Sequence, residues 1–258
     1  MKKLSIIIPA YNEEKRIGNT LNNYSSHFED LGKTAALDYE IIVVINNTSD
    51  RTEEIVKSIR EKNRRIRYLN FKQGGKGFAV IEGFKEALKG NSDFIGFVDA
   101  DLATSAEEYA KLFFSIRNHD GAIADRYLPQ SRVYPPTTFR RIVVSRIFNF
   151  LIRSILQLPY KDTQCGAKIF KRRAVETMLP HLTMSQWAFD VELLCVLKKN
   201  NYSIKSAPTV WIDKEYSKIN FWKAGPWMFL GIIRLRLLQS PLRQFIRIYD
   251  KFIGFIPR

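Results

Sequence analysis

Phe94-Ile95-Gly96-Phe97-Val98-Asp99-Ala100-Asp101 is a short apolar run that stops abruptly on two acids. A short apolar run bounded by polar residues reads as a strand buried on both faces of a sheet. Three similar runs precede it, at residues 4–8 (closed by Pro9), 39–45 and 66–71. Helical patterns lie between them. Ile17, Leu21, Tyr24 and Phe28 follow Glu13 at helical spacing, and Asp50-Arg51-Thr52-Glu53 opens a helix carrying Ile55, Val56 and Ile59. Residues 76–88 place Ile81, Phe84 and Leu88 on one face. Strand–helix units repeating every ~30 residues predict an α/β fold, a mostly parallel sheet flanked by helices. Such sheets bind ligands beyond the carboxyl ends of their strands. Polar residues gather there: Asn12 and Glu13, then Asn46 and Asn47, then the glycine turn at 74–77, then the Asp pair.

The second half is less regular. Residues 127–138 read as a loop, 140–158 as a basic amphipathic stretch, 162–170 as a strand or turn, and 187–198 as a helix. From Phe221 the chain mixes Trp222, Trp227, Phe229, Phe245, Tyr249, Phe252 and Phe255 with Arg234, Arg236, Arg243, Arg247, Lys251 and Arg258. Residues 231–238 and 242–253 are both amphipathic candidates. The division expected is a catalytic domain over 1–220 and a basic amphipathic helical tail over 221–258. The tail suits a membrane interface, where aromatics anchor and cations meet headgroups, or a cap packed on protein.

The chain has 258 residues, 45% of them hydrophobic and 26% charged, which is the composition of a globular protein. Its formal net charge of +15 calls for an anionic partner. Nothing reaches the ~18–20 apolar residues of a membrane span, and no signal peptide is visible. Cys165 and Cys195 show neither a disulfide framework nor metal-ligand spacing, as expected in a reducing compartment. The charge permits nucleic-acid binding, but no helix-turn-helix, zinc or stacking motif supports it. A dinucleotide-binding dehydrogenase would need Gly-x-Gly-x-x-Gly after the first strand, and it is missing.

In an extended segment, residues i and i+2 point the same way. Asp99 and Asp101 can therefore share one hard cation, Mg²⁺ or Mn²⁺, which commonly bridges protein carboxylates to substrate phosphates. The alternative is a solvated acidic turn. Gly74-Gly75-Lys76-Gly77 is a glycine turn into a helix N-terminus, a place that favours phosphate, or a plain turn with an exposed lysine.

Several motifs in order resemble a known family. Ser5-Ile6-Ile7-Ile8-Pro9-Ala10-Tyr11-Asn12-Glu13-Glu14 is similar to the opening of the family 2 inverting glycosyltransferases, which have the Rossmann-like GT-A fold. Glu40–Val44 with Asp50-Arg51-Thr52, then Gly75-Lys76-Gly77, Asp99-Ala100-Asp101 and Arg126-Tyr127-Leu128-Pro129 continue in the same order. Asp162-Thr163-Gln164-Cys165-Gly166-Ala167-Lys168-Ile169-Phe170 and Trp187-Ala188-Phe189-Asp190-Val191-Glu192 resemble the dolichyl-phosphate glucosyltransferase branch of the polyprenyl-phosphate sugar synthases.

The resemblance implies that Pro9, Tyr11 and Glu13 line the base and ribose pocket. It puts Asn46 near the base, Lys76 at the phosphates, and Asp99, Ala100 and Asp101 around metal and diphosphate. Arg126, Arg140 or Arg141, and Lys218 fit the cations that hold acceptor phosphate and donor diphosphate. Asp190 stands where inverting enzymes carry a base, although a phosphate acceptor hardly needs deprotonation and Asp190 then orients sugar or acceptor. Ile45-Asn46-Asn47 replaces the family's two consecutive Asp residues, which leaves the donor base open. Ala103 replaces a Gln of the mannosyl branch and points to the glucosyl one.

The function expected is inverting transfer of a hexose, glucose first, from a nucleoside-diphosphate sugar to a polyprenyl (dolichyl-type) phosphate. The alternative is another sugar, such as mannose, or a hydroxyl acceptor. The enzyme is expected to be peripheral on the cytoplasmic face of a membrane, without nucleic-acid partners and with room for a homo-oligomer.

Overall fold

A computed structural model describes residues 1–135, 139–183, 188–212, 221–238, 240–246 and 249, with backbone alone at 139–144, 221–228 and 242–243. The first half runs β1 (Lys2–Ala10), α1 (Ile17–Ala35), β2 (Leu37–Asn46), α2 (Thr52–Lys62), β3 (Ile66–Phe71), α3 (Lys76–Leu88), β4 (Phe94–Phe97), α4 (Ala106–Ser115) and β5 (Gly121–Ala124). Then follow β6 (Arg132–Tyr134), α5 (Phe139–Leu156), β7 (Lys168–Lys171), α6 (Arg172–Met178), α7 (Phe189–Lys199), β8 (Ile204–Ala207), β9 (Val210–Ile212) and α8 (Phe221–Leu238).

Seven strands form one sheet in the order β3-β2-β1-β4-β7-β5-β8. The chain builds outward from β1 to β3, then crosses back to lay β4 on the other side of β1, with Leu4 opposite Phe94 and Ile7 opposite Phe97. This reversal leaves a crevice off the carboxyl ends of β1 and β4. β7 is antiparallel to both β4 and β5. Its entry, residues 165–167, therefore arrives at the edge where β4 ends.

Both faces of the sheet are covered at β1, β2 and β4, which explains why their runs are mostly apolar; Ser5 and Glu40 interrupt them and are hydrogen-bonded to each other. Successive side chains of β1 alternate between two cores: Leu4, Ile6 and Ile8 pack with the aromatics Tyr24, Phe28, Tyr39 and Tyr109, while Ile7 packs with Val80, Phe84 and Phe97. Each of these isoleucines is fully buried, which stabilises the fold by roughly 1.5–3 kcal/mol apiece.

The expected α/β architecture holds, with differences in detail. The stretch read as a loop at 127–138 contains β6, which pairs with β9 in a separate two-stranded sheet because Arg132, Val133 and Tyr134 run alongside Val210, Trp211 and Ile212. α4 begins at Ser105, whose hydroxyl accepts from the Glu108 backbone N–H. α8 is longer than the amphipathic segment read at 231–238, and its Ile232 and Leu235 join the core shared by α3, α5 and α7. Of the second amphipathic segment, the described part begins as a 3₁₀ turn at Pro241–Phe245. Among the described residues no helix is long and apolar enough to cross a membrane.

Candidate active site

The crevice is built from strand ends. After β1, Glu13 holds the Arg16 guanidinium through both carboxylate oxygens at 2.6 Å. Burial raises the Glu13 carboxyl above its ordinary value; Arg16 opposes this, and Asp101 and Asp99 add to it. Pro9 is half-buried in β1, and Tyr11 is 55% exposed beside it.

After β2, Asn46 is only 2% exposed. In the amide orientation that satisfies both ends, its nitrogen donates to the Ala10 carbonyl at 3.0 Å and its oxygen accepts from the Gly75 N–H at 3.1 Å. Asn46, which the resemblance puts near the base, commits its amide to joining the end of β1 to the glycine turn. A carboxylate could not make the first of these bonds, because it has no proton to donate. Gly75 takes φ 117°, a conformation side chains rarely adopt, and delivers Lys76 to the first position of α3.

After β4, Asp101 accepts from the Ala103 N–H at 2.9 Å, which fixes its carboxylate. Ala100 between the acids is buried, its carbonyl accepting from the Thr20 hydroxyl at 2.7 Å. Asp99 receives the Lys76 ammonium at 2.7 Å, and the same ammonium lies 3.7 Å from Asp190. Burial by itself would push Lys76 down, but Asp190, Asp99 and Asp101 together hold it well above the ordinary lysine value. The Asp101 carboxyl is raised above its ordinary value, by burial first and by the neighbouring charge of Asp99 second, against the Ala103 N–H, Arg16 and Lys76.

Asp190 sits in the first turn of α7 and is nearly buried. Its Oδ1 accepts from the Lys168 ammonium at 2.6 Å. Glu192, two residues on, points elsewhere and accepts from the Thr183 N–H and hydroxyl. Arg126, expected among the phosphate-gripping cations, gives Nε and Nη2 to buried Asp162 at 2.7 and 3.0 Å and lies 5.1 Å from the Trp211 ring. Arg141 and Arg140 lie on α5 with side chains outside the described residues, and Lys218 lies outside them entirely.

Three residues of the 162–170 motif were quoted in the sequence without a role of their own. A Cβ on Gly166 would lie 1.8 Å from Asp99 Oδ2, so only glycine lets that carboxylate stand there. Asp162 anchors Arg126, and Lys168 anchors Asp190. The signal for Lys168 was a lysine inside an apolar strand, Ala167-Lys168-Ile169-Phe170, which demands a buried partner. Cys165 is free, and burial pushes its thiol up to about 11, leaving it inert at neutral pH.

Residues 5–179 match the Glycosyl transferase family 2 model. The chain belongs to that family. This glycosyltransferase is 31% identical over 243 residues to the dolichyl-phosphate beta-glucosyltransferase of Dictyostelium discoideum, covering 90% of this chain and 73% of the relative. The enzyme of the same name from Homo sapiens is 30% identical over 259 residues, covering 94% and 78%. Among solved structures, a glucosyl-3-phosphoglycerate synthase of Mycobacterium tuberculosis in complex with Mn²⁺, uridine-diphosphate-glucose and phosphoglyceric acid superposes with TM-score 0.62. That match covers 92% of this chain and 79% of that one at 14% identity, a likeness of fold.

The chain turns at Ala100 and Asp101 rather than staying extended as expected, yet the Asp99 and Asp101 carboxylates remain close enough to act on each other, a hard-oxygen donor set of the kind a divalent cation takes. Among the described residues no cluster of three or more His, Cys, Asp and Glu side chains encloses a metal position.

Proposed function

We propose that this glycosyltransferase moves glucose, with inversion, from a nucleoside diphosphate to a polyprenyl phosphate of the dolichyl type. The observation that carries the reading is the meeting of Asp99, Lys76 and Asp190, from three distant parts of the chain, at the carboxyl end of β4. The relatives named for transfer to dolichyl phosphate supply the acceptor and the sugar.

Asp99 and Asp101 would hold Mg²⁺ or Mn²⁺, which supplies charge neutralisation for the leaving diphosphate. Lys76, at the start of α3, adds its ammonium and the helix N-terminus on the same side. Pro9, Tyr11 and Glu13 border the nucleoside. Arg126 is held by Asp162, and Arg140, Arg141 and Lys218 are the cations that the family resemblance assigns to the acceptor phosphate and donor diphosphate. Asp190 orients the reacting groups. An acceptor phosphate oxygen is already an anion, so attack at the anomeric carbon needs alignment more than proton removal. We also place the protein on the cytoplasmic face of a membrane. Exposed Phe150, Phe229 and Phe245 and the charge of +15 support that placement.

The test is a radiolabelled transfer assay offering several nucleotide sugars to purified polyprenyl phosphate, with and without Mn²⁺ or Mg²⁺. Glucose transfer that requires the cation is expected; unchanged transfer after chelation would remove the role given to the Asp pair. Asp190→Asn is expected to lower transfer to the phosphate about tenfold, against the roughly 10²–10⁴-fold that loss of a general base costs.

A further inference from the structure

Lys168 opens β7, between β4 and β5 and opposite Phe97, with no part of its side chain exposed. Its ammonium donates to Asp190 Oδ1 and to the Cys165 carbonyl, both at 2.6 Å, and lies 5.3 Å from the centre of the Phe97 ring. A buried ammonium is costly unless a counter-ion stays beside it. Asp190 is that counter-ion. Among the described residues, the charged groups facing Asp190 are Lys168 from β7 and Lys76 from the start of α3, with Asp99 beyond Lys76.

A hydroxyl acceptor would make a demand on this arrangement. Its O–H bond breaks and the proton passes to Asp190. The oxygen bonds to the anomeric carbon as the bond from that carbon to the diphosphate breaks, the electron pair leaving on the diphosphate. Neutralising Asp190 in that step takes from the Lys168 ammonium its one ion-pair partner at hydrogen-bond distance among the described residues and leaves it the Cys165 carbonyl, the Phe97 ring and the more distant charge of Asp162. A phosphate acceptor makes no such demand: the same two bonds form and break, and no proton moves.

We propose that Lys168 is a positioning residue that withholds Asp190 from proton transfer, so that the site disfavours water and other hydroxyls and favours an acceptor that arrives as an anion. This rests on the reading of the acceptor as a phosphate. It adds a determinant of specificity that lies outside the donor and acceptor contacts.

The experiment follows two fates of the sugar in the full-length protein, given uridine diphosphate glucose, Mn²⁺ and polyprenyl phosphate in detergent: release to water and transfer to lipid. Lys168→Met is expected to raise the ratio of hydrolysis to transfer about tenfold, because Asp190 is freed to accept a proton. Lys168→Gln, which keeps a donor, is expected to raise it less. Adding Asp190→Asn to Lys168→Met is expected to bring the ratio back to the native one. A circular-dichroism melt checks that each variant is folded. An unchanged ratio, with both rates falling in step, overturns the proposal and leaves Lys168 a structural ion. The native enzyme gives a second reading that needs no variant. With no proton in flight, the lipid transfer rate in D₂O is expected within about 1.5-fold of that in H₂O, and a slowing of about twofold or more overturns the proposal. Failure of the acceptor reading looks different: the native enzyme then leaves polyprenyl phosphate unglycosylated and transfers to a hydroxyl instead.

Discussion

Gly166 is where a single atom decides whether the site exists. A methyl group there would displace the Asp99 carboxylate, because its carbon would fall 1.8 Å from Oδ2. Gly166→Ala is expected to fold normally yet lose about 100-fold in kcat/KM, the scale of a 1 Å misplacement, and to weaken Mn²⁺-dependent nucleotide binding in calorimetry. Asp162 gives a prediction about acid. Burial would raise its carboxyl, but Arg126, through charge and hydrogen bonds, holds it below the ordinary carboxylate value. A folded value below the unfolded one stabilises the protein above the usual carboxylate range, and that stability is lost as pH falls through the folded value. Asp162→Asn is therefore expected to cost about 3–5 kcal/mol at neutral pH, the scale for breaking a buried pair. Melting curves of native and variant protein should converge well below about pH 4. The residues legible in sequence were those with a local signature: two acids after an apolar run, and glycines before a helix. Gly166 was invisible as a site residue because its role is an absence of atoms, set by a carboxylate 67 positions away.

At the scale of elements, the first four strands could be read directly: β1, β2 and β4 are covered on both faces and largely apolar, and β3 at the edge still carries Ile66, Tyr68, Leu69 and Phe71 around exposed Arg67 and Asn70. The second half resisted for the opposite reason. β5, β8 and β9 are three or four residues long, too short to show a period, and in β8 Lys205 and Ser206 interrupt the apolar pattern. α6 follows β7 without a linking residue, so no turn chemistry marked the change. The basic segment from 221 showed mixed aromatics and arginines, and periodicity could not say which face would pack. The structure shows it for one turn: Ile232 and Leu235 are buried, and Arg236 is exposed. Leu235→Ala is expected to lower unfolding free energy by about 2–5 kcal/mol in urea titrations, whereas Arg236→Ala should stay within about 0.5 kcal/mol. Equal effects at the two positions would mean that α8 is not seated on α5.

Over the whole molecule, the site gathers acids that repel one another inside a protein of charge +15. The Asp101 carboxyl is raised by burial and by Asp99, and a cation bridging the pair to a diphosphate would relieve both. Uridine diphosphate with Mn²⁺, each at about a hundred times its Kd, is expected to raise Tm by about 5 °C. The shift should vanish with EDTA and in the Asp99→Asn, Asp101→Asn double variant. The same geometry has a consequence for how the protein comes into being. Because β7 runs backward between β4 and β5, the bare backbone at 166 reaches Asp99 only after the polypeptide has doubled back on itself, and Asp190 follows later still. A nascent chain has its glycine turn and both acids within its first 101 residues, yet it has no complete centre until residue 190 has left the ribosome and docked.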